Sequence, residues 1–139
     1  MSPTVWVPWR AGPVTGDDGP ALVSVTDFHP HHARAAPGVF LSALRLREGW
    51  YAMPGALGMW LWTRPLQRGR CGSVSVWESE ADMRRFVALP AHLAIMRKYR
   101  SLGTLNSATF SIDQPLPLAV REAAGRILAD GSHGVDSLS

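Results

Sequence analysis

The chain has 139 residues, 46% of them hydrophobic and 18% charged, with a formal net charge of +3. That length holds one domain around one core, and the composition excludes wholesale disorder, collagen-like repeats and coiled coils. The single cysteine, Cys71, excludes a disulfide framework or a cysteine-based zinc module, and eleven acidic residues against fourteen basic ones give little ground for nucleic-acid binding.

Residues 1–20 contain four prolines and three glycines and read as an extended N-terminal arm that ends in a turn at Gly16-Asp17-Asp18-Gly19. The stretch MSPTVWVPWRAGP has no long apolar run, so it does not read as a secretory leader. No membrane is expected as a partner, and a reducing cytoplasm is the expected compartment. Trp6 and Trp9 lie in the arm. Two tryptophans are costly to leave in water, so they are expected to dock on the domain or on a partner subunit. The domain proper is expected over 21–129, and 130–139, small and polar, as a flexible tail.

Ala21–Phe28 is rich in β-branched residues and predicts a strand with neither face purely apolar. Pro37 suits a first helical position, and Val39, Ala43, Leu46 and Trp50 recur at helical spacing, so a helix follows, with a strand over Val39–Leu46 as the rival. Met53-Pro54-Gly55 ends it. Ala56–Thr63 reads as a strand with Leu57, Met59, Leu61 and Thr63 on one face and Gly58, Trp60 and Trp62 on the other. Gly72–Trp77 alternates Val74 and Val76 against Ser73, Ser75 and Trp77, and the two runs form a hairpin. Ser79 is a good N-cap for a helix burying Met83, Phe86 and Val87. Pro90 interrupts it, and a second segment over Ala91–Arg100 puts His92, Ile95, Met96 and Tyr99 on one face. Asn106–Ile112 alternates as a last strand, and Leu118–Leu128 predicts a final helix through Val120, Ala124, Ile127 and Leu128.

The order β-α-β-β-α-β plus a C-terminal helix is that of a ferredoxin-like α+β domain, an antiparallel sheet with two helices on one face. The other face needs cover. Only the terminal segments remain to supply it within the chain, and burial against a second copy predicts a homodimer.

Pro54-Gly55 before a hairpin, the run Ser75-Val76-Trp77-Glu78-Ser79-Glu80, and the later Leu89-Pro90-Ala91-His92 resemble the dimeric α/β-barrel superfamily over about residues 21–112. The likeness is to its antibiotic-biosynthesis-monooxygenase-like group and to relatives likened to spheroidene monooxygenase. The resemblance implies two sheets packed into a dimeric barrel, with a pocket in each subunit between sheet and helices. It implies cofactor-free chemistry in which polar and aromatic residues handle an activated phenolic substrate and O2. Haem-degrading members use a histidine of the second helix as axial ligand, and that position falls nearer Met96 than His92 here.

Among the residues themselves, His92 is the sharpest candidate. It shares a helical face with Ile95, Met96 and Tyr99, and an inward imidazole can act as general base, hydrogen-bond donor or haem ligand. Against this stands a structural histidine bonded to backbone beside Pro90. Tyr99 is the second catalytic candidate, against a hydroxyl that merely reaches the helix edge. Trp60, Trp62 and Trp77, with Phe86, Met96 and Asn106, are the expected substrate-binding set. The three tryptophans would make an aromatic wall if they share a face, and otherwise are core. His29, His31 and His32 beside Asp27 suggest a metal cluster, but adjacent histidines diverge, and no metal site is expected. Cys71 and the loop residues Arg64, Arg68 and Arg70 read as incidental. No phosphate-binding loop, nucleophile elbow, zinc-protease or dinucleotide-binding motif occurs.

The expected function is a small oxygenase-like enzyme without cofactor, acting on a hydrophobic, aromatic small molecule. The alternatives are a haem-binding protein with His92 as ligand, and a non-catalytic binding or structural barrel.

Overall fold

A computed structural model describes residues 3–15 and 19–130 of the chain. The expected turn at 16–19 and the expected tail after 130 therefore fall largely outside the described residues. Nine principal elements follow in order: β1 (Val5–Ala11), β2 (Ala21–Pro30), α1 (Ala36–Glu48), β3 (Ala56–Arg64), β4 (Arg70–Trp77), α2 (Glu80–Val87), α3 (Pro90–Tyr99), β5 (Gly103–Ile112) and α4 (Pro117–Asp130). The strands form one antiparallel sheet in the order β1-β3-β4-β2-β5. From β2 to β5 this is the ferredoxin-like α+β arrangement.

The sheet has five strands where four were expected, because part of the arm pairs with β3. Pro8 lacks an N–H and sits where the β1–β3 register slips, between Val7 and Arg10. That is where an edge strand tolerates proline. Trp6 and Trp9 meet the edge of Trp60, with ring centroids 6.0 and 5.7 Å away. Gly58 is required beneath them, since a Cβ there would overlap the Trp9 ring.

The sheet carries α1 to α3 on one face, as expected, and the extra C-terminal helix α4 on the other, where the terminal segments were the cover available within the chain. On the inner face, α1 and α2, the latter through Met83, pack over Ala56, Met59, Leu61 and Trp77, together with Trp50 from the short turn Trp50–Ala52. On the outer face, α4 lays Val120, Ala124 and Leu128, all 2% exposed or less, on Val23, Val25, Trp60, Trp62, Val74 and Val76. Full burial of a valine or leucine side chain stabilises by about 1.5–3 kcal/mol, so this stripe of α4 is part of the core. The apolar character of both faces of β3 follows from these two layers.

Local signals set the helix ends. The Ser79 hydroxyl accepts from the Asp82 N–H at 3.2 Å and donates to Asp82 Oδ2 at 2.7 Å. Gly55 has φ +78° and lies against Asp82, where no Cβ would fit. Leu89 is extended before Pro90, so α2 and α3 are separate helices rather than one kinked rod. No helix among the described residues is long and apolar enough to cross a membrane.

Candidate functional site

The strand registers divide the expected site residues between the two faces. Trp60 lies opposite Val74 and Trp62 opposite Gly72, so both tryptophans share the outer face with Val74 and Val76. Trp77 points inward. The three do not form one wall, a correction of the expected arrangement. Asn106 pairs with Asp27 and lies, half-buried, on the outer side as well. The structure thus brings Trp77, Phe86 and His92 together on the inner side, places Tyr99 in a separate inner cluster, and separates Trp60, Trp62 and Asn106 from them.

On the inner side an aromatic cluster forms at the α2–α3 junction. Trp77 and Trp50 meet at 5.1 Å between ring centroids, Trp50 and Phe86 at 5.0 Å, Trp77 and Phe86 at 5.3 Å, and Phe86 and His92 at 4.7 Å. Most of these contacts are edge-to-face, the favoured geometry for aromatic quadrupoles. The Trp77 indole N–H donates to Ser75 Oγ at 2.9 Å. The Trp50 indole N–H is buried with no hydrogen-bond partner.

His92 is the third residue of α3, in its first turn, and is partly buried. Its Nδ1 lies 3.1 Å from the Val87 carbonyl, which can only accept, so Nδ1 carries the proton and Nε2 is left with its lone pair. Burial lowers the His92 pKa, and the bond to the Val87 carbonyl opposes that shift. The first turn of α3 also disfavours a cation there. A neutral imidazole with a free Nε2 is the form that can take a proton from a ligand.

Tyr99 shares the helical face with His92 but sits two turns away. It is 8% exposed and packs with Phe28, Cys71, Val39, Phe40 and Ile95. Its hydroxyl lies against Gly38, where an added Cβ would come within 2.8 Å of it. The structure gives no contact between Tyr99 and His92. Burial pushes the Cys71 thiol up to about 12, with Asp27 adding to the effect, so it is protonated and unreactive.

The inner face of the sheet also carries a set of hydroxyls. The registers align Thr109, Ser24 and Ser75 in one row across β5, β2 and β4, and Ser107, Thr26 and Ser73 in the next. Ser24, Ser75 and Ser107 are buried, and Thr26 Oγ1 and Ser73 Oγ are 2.7 Å apart. The signal was present as alternate Ser and Thr on three strands, but only alignment of the strands shows a continuous polar floor.

The outer face holds the strongest ion pair. Arg70 donates from Nε to Asp27 Oδ1 at 2.8 Å and from Nη2 to Asp27 Oδ2 at 2.5 Å, both residues being buried. Arg70 Nη1 also donates to Gln67 Oε1 at 3.1 Å. His29 Nε2 is 3.2 Å from Asp27 Oδ1, while His31 and His32 are exposed. No three potential metal ligands converge among the described residues. Arg64 donates to Thr4 Oγ1 at 2.9 Å and, like Arg70, lies over the Trp62 ring. Burial and the neighbouring Arg70 lower its pKa, with Asp27 opposing.

Two open depressions lie on the outer layer. One, of about 390 Å³, is lined by Phe110, Ala123, Arg126 and Ile127. The other, of about 360 Å³, runs past Trp9, Gly12, Leu57, Pro115 and Pro117. His92 lines neither of them.

No protein-family model matches the sequence. No curated protein matches it either. Solved structures do match in fold. The cofactor-independent oxygenase SnoaB from Streptomyces nogalater superposes with a TM-score of 0.54 at 23% identity, over 70% of this chain and 97% of that one. A candidate antibiotic biosynthesis monooxygenase from Deinococcus radiodurans gives 0.60 at 15% identity, over 68% and 95%. A candidate monooxygenase from Lactobacillus acidophilus gives 0.58 at 11%, over 73% of this chain and 46% of that one. The chain therefore shares the ferredoxin-like fold of the antibiotic-biosynthesis-monooxygenase-like proteins.

Proposed function

We propose that the chain is a small monooxygenase-type enzyme for a hydrophobic aromatic molecule, with His92 as its general base. The observation that carries this reading is the neutral His92. Its Nδ1 is held by the Val87 carbonyl and its ring meets the edge of Phe86 in the aromatic cluster. An aromatic substrate would stack on the half-buried Phe86 ring at the edge of the cluster, beside His92. His92 Nε2 would take a phenolic proton, which leaves an electron-rich anion for O2. One oxygen atom enters the product and the other leaves as water, with the substrate supplying the electrons. The fold likeness to a cofactor-independent oxygenase supports this class of chemistry. Met96 and Tyr99 follow His92 on the same face of α3 and would border the substrate. Trp60, Trp62 and Asn106 have no place in this site.

The haem alternative fits the residues poorly. A porphyrin needs a flat slot beside its ligand, and the inner layer next to His92 is filled by Trp50, Trp77 and Met83, each 2% exposed or less. No step is routed through haem.

The test is His92→Ala and His92→Gln, assayed by O2 uptake against a panel of polycyclic phenols. Loss of a general base costs about 10²–10⁴-fold in rate, with a melting temperature within a few degrees of the parent. Retained turnover together with a large loss of stability would make His92 a structural histidine and end this reading.

A further inference from the structure

Three connections meet at one end of the sheet. The turn of the β3–β4 hairpin, residues 65–69, packs through Gly69 on Ala36, where an added Cβ would overlap the Ala36 side chain. The chain leaves β2 through His31, whose backbone N–H donates at 2.9 Å to the Leu102 carbonyl in the turn between α3 and β5. These contacts set the hairpin turn, the short turn Ala33–Ala35 and the α3–β5 turn side by side.

The charges of the molecule divide along the strands. Arg34, Arg64, Arg68, Arg70, Arg97, Lys98 and Arg100, half of the fourteen lysines and arginines, belong to this end. The acidic residues there are Asp27, which is 1% exposed and held by Arg70, and Asp130, the last residue of α4. Glu48, Glu78, Glu80, Asp82 and Asp113 lie at the opposite end, where α1, β4 and β5 finish and α2 begins. Arg84 and Arg85 are answered there by Glu80 and Asp82. By contrast Arg34, Arg68, Arg97, Lys98 and Arg100 are exposed and make no ion pair among the described residues. A helix C-terminus favours cations, which accounts for Arg97 and Lys98, but not for Arg34 in its short turn or Arg68 in the hairpin turn.

The same end shows apolar side chains to water. Leu66 in the hairpin turn is 77% exposed, Leu102 in the adjoining turn 42% and Leu105 at the start of β5 39%. A single exposed leucine is ordinary; two on neighbouring turns, among five unpaired cations, form a pattern. Arg68 holds φ +58°, a conformation that favours glycine, so the hairpin turn keeps its shape against local preference. Neither depression described above is lined by a residue of these turns. The arrangement matches a flat partner that is anionic at its surface and apolar beneath. A nucleic acid offers phosphates but nothing to receive the leucines.

We infer that this end is a contact surface for an anionic lipid bilayer, with Leu66 and Leu102 in the boundary between headgroups and acyl chains and the five cations among the lipid phosphates. The sequence has no spanning run, and a surface contact needs none. The inference does not depend on the chemistry proposed for His92, which sits at the other end of α3.

Co-sedimentation of the full chain with vesicles of seven parts phosphatidylcholine to three parts phosphatidylglycerol is expected to show binding at physiological salt. Binding should fade at about 0.5 M salt, where charges are screened within a few ångströms, and be absent with phosphatidylcholine alone. Arg68→Gln and Lys98→Gln should each weaken it about five-fold, the loss of about 1 kcal/mol per basic residue at such a surface. Leu66→Ser with Leu102→Ser should weaken it about ten-fold or more and, both side chains being exposed, leave the melting temperature within a few degrees of the parent. Arg84→Gln, at the opposite end, should bind as the parent does. No binding to the anionic vesicles, equal binding to the neutral ones, a leucine variant that binds like the parent, or an Arg84→Gln effect as large as that of Arg68→Gln would overturn the inference. So would a mixed-sequence DNA duplex that displaces the vesicles at equal phosphate concentration, since the leucines would then have no part in what this surface holds.

Discussion

Replacing Arg70 by methionine leaves the Asp27 carboxylate, 1% exposed, without its bidentate guanidinium partner. Removing one member of a buried ion pair costs about 3–5 kcal/mol, since the other charge is left in a low-dielectric site. Arg70 also satisfies Gln67 Oε1 and the Leu128 carbonyl, so the upper part of that range applies. For a domain of this size about 1 kcal/mol moves the melting temperature by roughly 3–5 °C, so Arg70→Met should melt about 10–20 °C below the parent. The double variant Asp27→Leu, Arg70→Met removes both charges and should recover most of the loss, because apolar residues of similar volume often replace a buried pair at little cost. The single variant should also behave abnormally with pH. A buried carboxyl that loses its guanidinium, with His29 still 3.2 Å away, is less favoured in its charged form, so the variant should be relatively more stable at low pH and lose stability as the pH rises through the carboxylate range. Urea melts of the parent, both single variants and the double variant, at pH 4 and pH 7, complete the cycle. A loss below about 1 kcal/mol for Arg70→Met, or a double variant as unstable as the single, would refute the account of this pair.

Three further outcomes are expected. The folded pKa of His92 lies below its unfolded value, so its contribution to stability is present above about pH 6.5 and is lost as pH falls through the histidine range; subtracting the urea midpoints of His92→Gln from those of the parent between pH 7.5 and 5 should isolate this slope, and equal slopes would show that His92 does not carry it. Cys71 should resist a thiol-specific disulfide reagent in the native protein at pH 8 and react in full once unfolded; rapid native labelling would contradict its burial. Gly58→Ala should displace the Trp9 ring and quench less of the Trp60 emission, at a cost of about 1–3 kcal/mol; a variant as stable as the parent would mean that Trp9 is not seated on β3.

Most elements could be read from the sequence because their periodicities are clean. Ser73–Trp77 alternates as a strand, Ser79 caps α2, and Pro90 divides α2 from α3. β1 escaped because Pro8 and Pro13 make the arm look unpaired, whereas an edge strand with a register slip admits Pro8. The side on which each tryptophan lies escaped for another reason. Residues 56–63 are apolar on both faces, so alternation groups Trp60 with Trp62 but does not say which group meets Trp77. The pairing of Trp60 with Val74 decides that, and a slip of one residue would invert it. Of the candidate site, the inward His92 was legible from helical spacing. The alternative reading, a histidine bonded to backbone beside Pro90, matches the contact with the Val87 carbonyl; the rows of Ser and Thr across three strands were not legible, since they arise from chain segments meeting in space.

The place of α4 in the chain has a consequence in time. The sheet is complete once β5 has been made at Ile112, but the stripe that closes its outer face runs from Val120 to Leu128. Synthesis proceeds at about 5–20 residues per second, so a growing chain spends on the order of one to a few seconds with Trp60, Trp62 and the valines of β2 and β4 bare. During that interval the nascent protein offers a flat apolar sheet to its neighbours on the polysome and to chaperones. The hazard ends when the last turn of α4 reaches Arg70.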